Sequence, residues 1–165
     1  MSSRFVRFGT ACMICCLTTL SVPRKGLAQW NPNQIQPATA LSQSVLIQPA
    51  ELVKALQFSK TKPVVLNVGP KMLYQQAHIP GAEFIGPGSD SESIKQLRAR
   101  VQSLPHSTVI VLYCGCCPWA HCPNVTPAYT ELRRMGFINV KVLYIADNLG
   151  TDWVYKGYLT VRGNN

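Results

Sequence analysis

"STVIVLYCGCCPWAHCPNVTPAYTELRRMG", residues 107–136, is the stretch on which the fold turns. Its first seven residues form an apolar, β-branched run, the composition of a strand buried on both faces of a parallel sheet. A loop follows that holds four cysteines in nine residues: Cys114, Cys116, Cys117 and Cys122. The stretch then turns helical. Thr126 stands at a capping position with Pro127 behind it, Ala128, Leu132 and Met135 share a face, and Gly136 ends the helix after Arg133 and Arg134. Strand, loop and helix in this order put Cys114 at the carboxyl end of a strand, where open α/β sheets bind their ligands.

The same alternation extends to both sides. "QPAELVKALQF" opens a helix at Pro49 and lines Leu52, Ala55 and Leu56 along one face. "PVVLNV", residues 63–68, is a second buried strand, residues 71–76 a short helix, and "HIPGAEFI" a turn at Pro80 and Gly81 before a short strand. Ser89 and Glu92 have capping-box spacing ahead of a helix that carries Ile94, Leu97, Val101 and Leu104 and stops before Pro105. "INVKVLYI" is a further strand, and "TDWVYKG" a last short helix with Thr151 as its cap, Trp153 in the core and Gly157 at its end. No internal repeat appears. The pattern predicts one α/β domain over residues 45–163, a central, mainly parallel sheet flanked by helices on both faces.

Ahead of that domain, residues 1–28 read as an export signal. Arg4 and Arg7 are followed by a 15-residue run without charge, residues 8–22, and small Gly26 and Ala28 precede a cut after Ala28. That run is short for a membrane span, and retention as an N-terminal anchor is the alternative. Residues 29–44, polar, uncharged and turn-rich, read as a flexible linker. Cleavage leaves twelve basic residues against seven acids, a net charge of +5, with the bases scattered, so the footprint of a nucleic-acid binder is missing. It also removes Cys12, Cys15 and Cys16. The four loop cysteines are then the only thiols, in a periplasmic or secreted setting that permits disulfides.

A tight loop and the positive end of the following helix present backbone N–H groups that bind anions and stabilise a thiolate. Gly115, Cys116, Cys117, Trp119 and His121 are the residues of that loop expected around a bound anion, with His121 as cation or proton donor. Three other uses of the cysteines stay open. Two disulfides would staple the loop, although bridges this close in sequence remove little chain entropy and the adjacent pair Cys116 and Cys117 is awkward to bridge. Cys114, Cys117 and Cys122 with His121 are soft ligands for zinc or copper. Cys114 to Cys117 spells C-x-x-C, the spacing of a dithiol redox pair. His78 reads as a hydrogen-bonded turn residue and His106 as an exposed loop residue.

The ordered set "HIPGA" (78–82) behind Tyr74, "VIVLYC" (109–114), "GFINV" (136–140) and Trp153 with "KGY" (156–158) resembles the rhodanese-like family, over about the whole of residues 45–163. The resemblance implies a sulfurtransferase without a cofactor. Cys114 would take sulfane sulfur from a small anionic donor as a persulfide and pass it to a thiol acceptor. The chain departs from the family where Asn67, Val68 and Gly69 replace the usual Asp-x-Arg, in the length of the loop, and in the absence of any Arg within it. The missing Arg argues against phosphoester hydrolysis. With Cys114 as nucleophile, one of Cys116, Cys117 and Cys122 is expected to accept the sulfur or attack the persulfide, leaving a disulfide for a periplasmic reductant. The alternatives on the same fold are a thiol-disulfide redox protein, a Cys-rich metal module and a non-catalytic binding domain.

Overall fold

The computed structural model describes residues 41–163. Five strands, β1 (Leu46–Ile47), β2 (Val64–Asn67), β3 (Glu83–Phe84), β4 (Ile110–Tyr113) and β5 (Val140–Leu143), form one sheet in the order β1-β5-β4-β2-β3, every pair parallel. β4 is central, paired along one edge with β2 from Val64↔Ile110 to Asn67↔Tyr113 and along the other with β5. All four of its residues are buried. The two-residue period of the strand sends Ile110, Leu112 and then Cys114 into one core, and Val111 and Tyr113 into the other. This is why the run carries no polar alternation: neither face meets water.

Helices α3 (Ser91–Val101) and α4 (Val125–Arg134) cover the first face through Leu97, Val101, Val125, Ala128 and Leu132. Helix α1 (Pro49–Phe58) and a π-helical turn at Gly150–Val154 cover the second through Leu52, Leu149 and Trp153. Helix α2 (Lys71–Gln76) lies where the sequence places it, and Tyr74 on it stacks on His78 with ring centroids 3.8 Å apart. His78 is fully buried: its Nδ1 is 2.8 Å from the Tyr74 carbonyl, and its backbone bridges to Val161. The fold is the expected α/β sheet with helices on both faces.

The helix ends differ from expectation at three places, where a neighbouring residue rather than the expected Ser or Thr stands at the cap. The cap of α3 is Asp90, whose carboxylate accepts from the Ser93 N–H at 3.0 Å, and Ser89 turns instead to Asn124. Helix α4 begins at Val125 behind Asn124 rather than at a Thr126 cap, and Thr126 Oγ1 is buried with no hydrogen-bond partner. At the last turn Asn148, not Thr151, supplies the oxygen that accepts from the Thr151 N–H, at 2.9 Å.

The expected signal over residues 1–28 and most of the 29–44 linker lie outside the described residues. Of that linker, Leu41 packs against the first core and Ser44 accepts a hydrogen bond from Lys141 through its carbonyl, at 2.9 Å. Among the described residues no helix is long and apolar enough to cross a membrane.

Two ion pairs lock α3 in place. Arg100 holds the Glu83 carboxylate of β3 with two nitrogens, and Glu131 of α4, nearly buried, accepts from Arg98 of α3 and from Arg134. Hydrogen bonds from Arg134 and then Arg98 hold the Glu131 carboxyl down to about 2. A folded-state pKa below the unfolded one adds stability above the ordinary carboxylate range that fades as pH falls through the folded value. Glu131→Gln is therefore expected to cost about 1 kcal/mol in urea unfolding at neutral pH, the upper end for partly exposed pairs. The gap from wild type should close as pH approaches 2; an equal gap at both pH values would show that packing, not charge, is lost.

Candidate active site

Cys114 follows the last residue of β4 and is buried. Gly115 then takes a φ of +74°, the left-handed region that glycine enters without steric cost. Its carbonyl accepts from the Leu149 N–H at 3.0 Å, and a Cβ placed there would lie 2.8 Å from the Leu149 Cβ. The chain reverses at this residue, and the reversal sets the Cys116 Sγ 3.1 Å from the Cys114 Sγ. Cys117 Sγ is 3.2 Å from Cys116 Sγ and donates to the His121 carbonyl at 3.8 Å. All four loop cysteines are free thiols. The disulfide staple thus has no bridge here, and the sulfurs that meet Cys114 are those of Cys116, two residues on, and of Cys122, rather than Cys117 of the C-x-x-C spacing.

Three residues outside the cysteine set hold this arrangement. Asn124, at the start of α4, donates from Nδ2 to Cys114 Sγ at 3.3 Å and reaches Cys116 Sγ at 3.9 Å. Its Oδ1 is fixed by Ser89, from the backbone N–H at 3.2 Å and the hydroxyl at 2.9 Å. Asn67 accepts from the Gly69 N–H at 3.1 Å and donates to the Cys114 carbonyl at 3.5 Å. At Gly69 a Cβ would stand 2.9 Å from the Cys114 carbonyl oxygen and 3.1 Å from its sulfur. The Asn67-Val68-Gly69 segment that replaces Asp-x-Arg is thus a direct support of Cys114: an amide in place of a carboxylate, and no side chain where sulfur needs room.

The electrostatics assign the charge within the cage differently from the sequence. The positive end of α4 serves Cys122, not Cys114. The Cys114 thiol donates to the Cys122 sulfur, and the backbone N–H groups of Asn124 and Val125 converge on the same atom, which lowers the Cys122 thiol to about 6 despite its burial. Cys114 is correspondingly pushed up, first by giving its proton to that hydrogen bond and then by burial, with the Asn124 amide opposing. Burial, and next the hydrogen bond with Cys116, raises Cys117 to about 12. The shared hydrogen bond and the helix N–H groups thus favour the charge on Cys122 over Cys114.

A cavity of about 350 Å³ opens over Cys114, Gly115 and Cys116, with Asn67, Tyr74 and Asn148 among its walls and, among the described residues, no Lys, Arg, Asp or Glu in its lining. Gly115 and Cys116 line this cavity together with Cys114. Trp119 and His121 are not among its lining residues. Trp119 packs on Tyr144, ring centroids 5.5 Å apart, and faces a small void behind the loop beside Cys117 and Cys122. His121 is exposed on the 3-10 turn Trp119–His121 and contributes its carbonyl. Among the described residues no group of three or more His, Cys, Asp or Glu is placed so that it could hold a metal ion.

The sequence model of the Rhodanese-like domain matches residues 48–144, more than half of the chain, from α1 through β5. The chain belongs to the rhodanese-like domain family. Solved structures agree with it in fold. The Alr3790 protein of Anabaena sp. is 24% identical, with 70% of this chain and 82% of that chain covered and a TM-score of 0.54. For the BH2092 protein of Bacillus halodurans the values are 24%, 72%, 77% and 0.56. The single domain sulfurtransferase RDL2 of Saccharomyces cerevisiae is 16% identical, with 72% and 94% covered and a TM-score of 0.51. No curated protein matches the chain in sequence. Within the rhodanese-like fold, Cys114 occupies the end of the central strand, and the surrounding thiols and amides occupy the loop before α4.

Two outcomes test this geometry. The ultraviolet thiolate absorbance of the reduced protein should titrate one thiolate with a midpoint near pH 6, charged above it and protonated below, and Cys122→Ser should abolish that step; a step that survives would move the charge to another sulfur. Gly69→Ala should slow alkylation of Cys114 at least tenfold in a protein that stays folded by circular dichroism, because the new methyl presses on the Cys114 carbonyl and sulfur.

Proposed function

We propose that this rhodanese-like domain is an exported sulfurtransferase that carries sulfane sulfur as a persulfide on Cys114. The observation that carries the reading is the buried Cys114 thiol at the end of β4, on the wall of a cavity and hydrogen-bonded to the sulfur of Cys122. The two hydrogen-bonded sulfurs share one proton, which passes to Cys122 as the Cys114 sulfur attacks the outer sulfur of a donor R–S–SH. A new S–S bond forms on Cys114, the bond to R–S breaks, and R–S⁻ departs to take up the proton held by Cys122. The side-chain amide of Asn124, which donates to Cys114 Sγ, stabilises the attacking sulfur as its charge develops.

The cavity's lining, free of Lys and Arg, favours a donor with one charge, a small persulfide or polysulfide, over the thiosulfate dianion. Export rests on the basic start, the uncharged run and the small residues before Gln29. Only a thiol-bearing acceptor is required; a nucleic-acid partner is not.

Mass spectrometry of the intact, reduced protein tests the reading. Incubation with a small-molecule persulfide should deliver one sulfur atom per chain, held on the protein or released as sulfide, Cys114→Ser should take none, and thiosulfate should load the protein at least tenfold more slowly. Absence of both added sulfur and released sulfide, with persulfide and thiosulfate alike, would overturn it.

A further inference from the structure

The contact between Cys114 and Cys116 is closer than a persulfide carrier needs. A carrier needs one sulfur and room for a second. Here Gly115, in the left-handed region and tied to Leu149, folds the C-G-C segment back so that the two Sγ atoms stand 3.1 Å apart, and the one Asn124 amide reaches both. A disulfide needs about 2.05 Å between sulfurs, so the pair has about 1 Å to close. The contact is with the sulfur that would be the inner atom of the persulfide, and attack there releases the outer sulfur. The two sulfurs also differ in access: Cys114 is buried, whereas Cys116 is partly exposed on the cavity wall, where a reductant can reach it.

We propose that Cys116 is the resolving cysteine of a persulfide-reducing cycle, releasing the carried sulfur as hydrogen sulfide and leaving a Cys114–Cys116 disulfide. The step rests on the persulfide reading above. In it the Cys116 sulfur bonds to the Cys114 Sγ, the bond between that atom and the outer sulfur breaks, and the departing HS⁻ takes the Cys116 proton to leave as H₂S. Two thiols are oxidised to a disulfide, and one sulfane sulfur is reduced to sulfide. The domain is reset by a dithiol reductant, which attacks Cys116 as the exposed sulfur, forms a mixed disulfide there and leaves oxidised as Cys114 and Cys116 return to thiols. The short C-x-C ring makes this disulfide readily reducible.

The test uses the full mature chain, reduced, freed of reductant and given a small-molecule persulfide. Wild type should release one sulfide per chain and then stop, peptide mass mapping should find Cys114 joined to Cys116, and dithiothreitol should restore turnover. Cys116→Ser and Cys116→Ala should keep the added sulfur on Cys114 and release sulfide at least tenfold more slowly. Sulfide release at the wild-type rate from sulfur-loaded Cys116 variants would overturn the proposal and leave the persulfide reading standing. So would a wild-type disulfide that joins Cys114 to Cys117 or Cys122, or a persulfide found on Cys116. No added sulfur in wild type or in either variant would overturn both. The wild-type disulfide map stands whether or not a variant folds.

Discussion

β4 is hydrogen-bonded along both edges and its side chains are buried on both faces, which leaves the residue that follows it no freedom to shift. Moving Cys114 by even a fraction of an ångström would disturb Leu112 and Tyr113 in two separate cores at once. The site inherits its precision from that strand. What lies around Cys114 is arranged from three further directions: Asn67 and Gly69 from the neighbouring β2, Asn124 from the start of α4, and Leu149 from the segment after β5. Each meets a different atom of Cys114 or Gly115, so the loop is held although it contains no strand and only one short turn of helix.

Within this frame four clustered sulfurs compete for the few hydrogen-bond donors that can stabilise a negative charge. Each thiolate in a buried cluster would raise the cost of the next, so a single ionisation is the stable state. The charge settles where donors converge. Cys122 receives backbone N–H groups from the first turn of α4 and the proton of Cys114, whereas Cys114 has the side-chain amide of Asn124. A nucleophile that rests protonated beside its own base is protected from adventitious oxidation, because the thiolate is the reactive form and the thiolate here is inaccessible.

The sheet, the helices and the place of Cys114 could be read from the sequence because they follow from periodicity: a strand buried on both faces has no polar alternation, and helical spacing marked α1, α3 and α4. The caps could not, since Ser89, Thr126 and Thr151 are good caps by type, and neighbouring residues took the cap positions; Ser89 gave its hydroxyl to Asn124 and left the α3 cap to Asp90. The pairing of cysteines was equally hidden. Spacing suggests C-x-x-C, but whether residue two or residue three meets Cys114 depends on the φ of Gly115, a torsion angle that spacing does not encode. Asn67 and Gly69 were visible only as a departure from the family pattern; their use appears once β2 stands beside β4. Asn124 left a usable trace, an asparagine at the loop's end directly before a helix, which is a residue type that favours such positions.

The absence of arginine from the loop and of charged side chains from the cavity lining then has a physical reading of its own. A guanidinium beside Cys114 would draw the shared charge away from Cys122 and hold sulfonate or phosphate oxygens through a bidentate fork. Amides and thiols are weaker and softer partners. They stabilise a polarisable sulfur without binding a hard oxyanion, and they leave the proton between Cys114 and Cys122 free to move. A site built in this way selects by sulfur chemistry and by fit to an uncharged wall, and long-range attraction of anions plays little part in it.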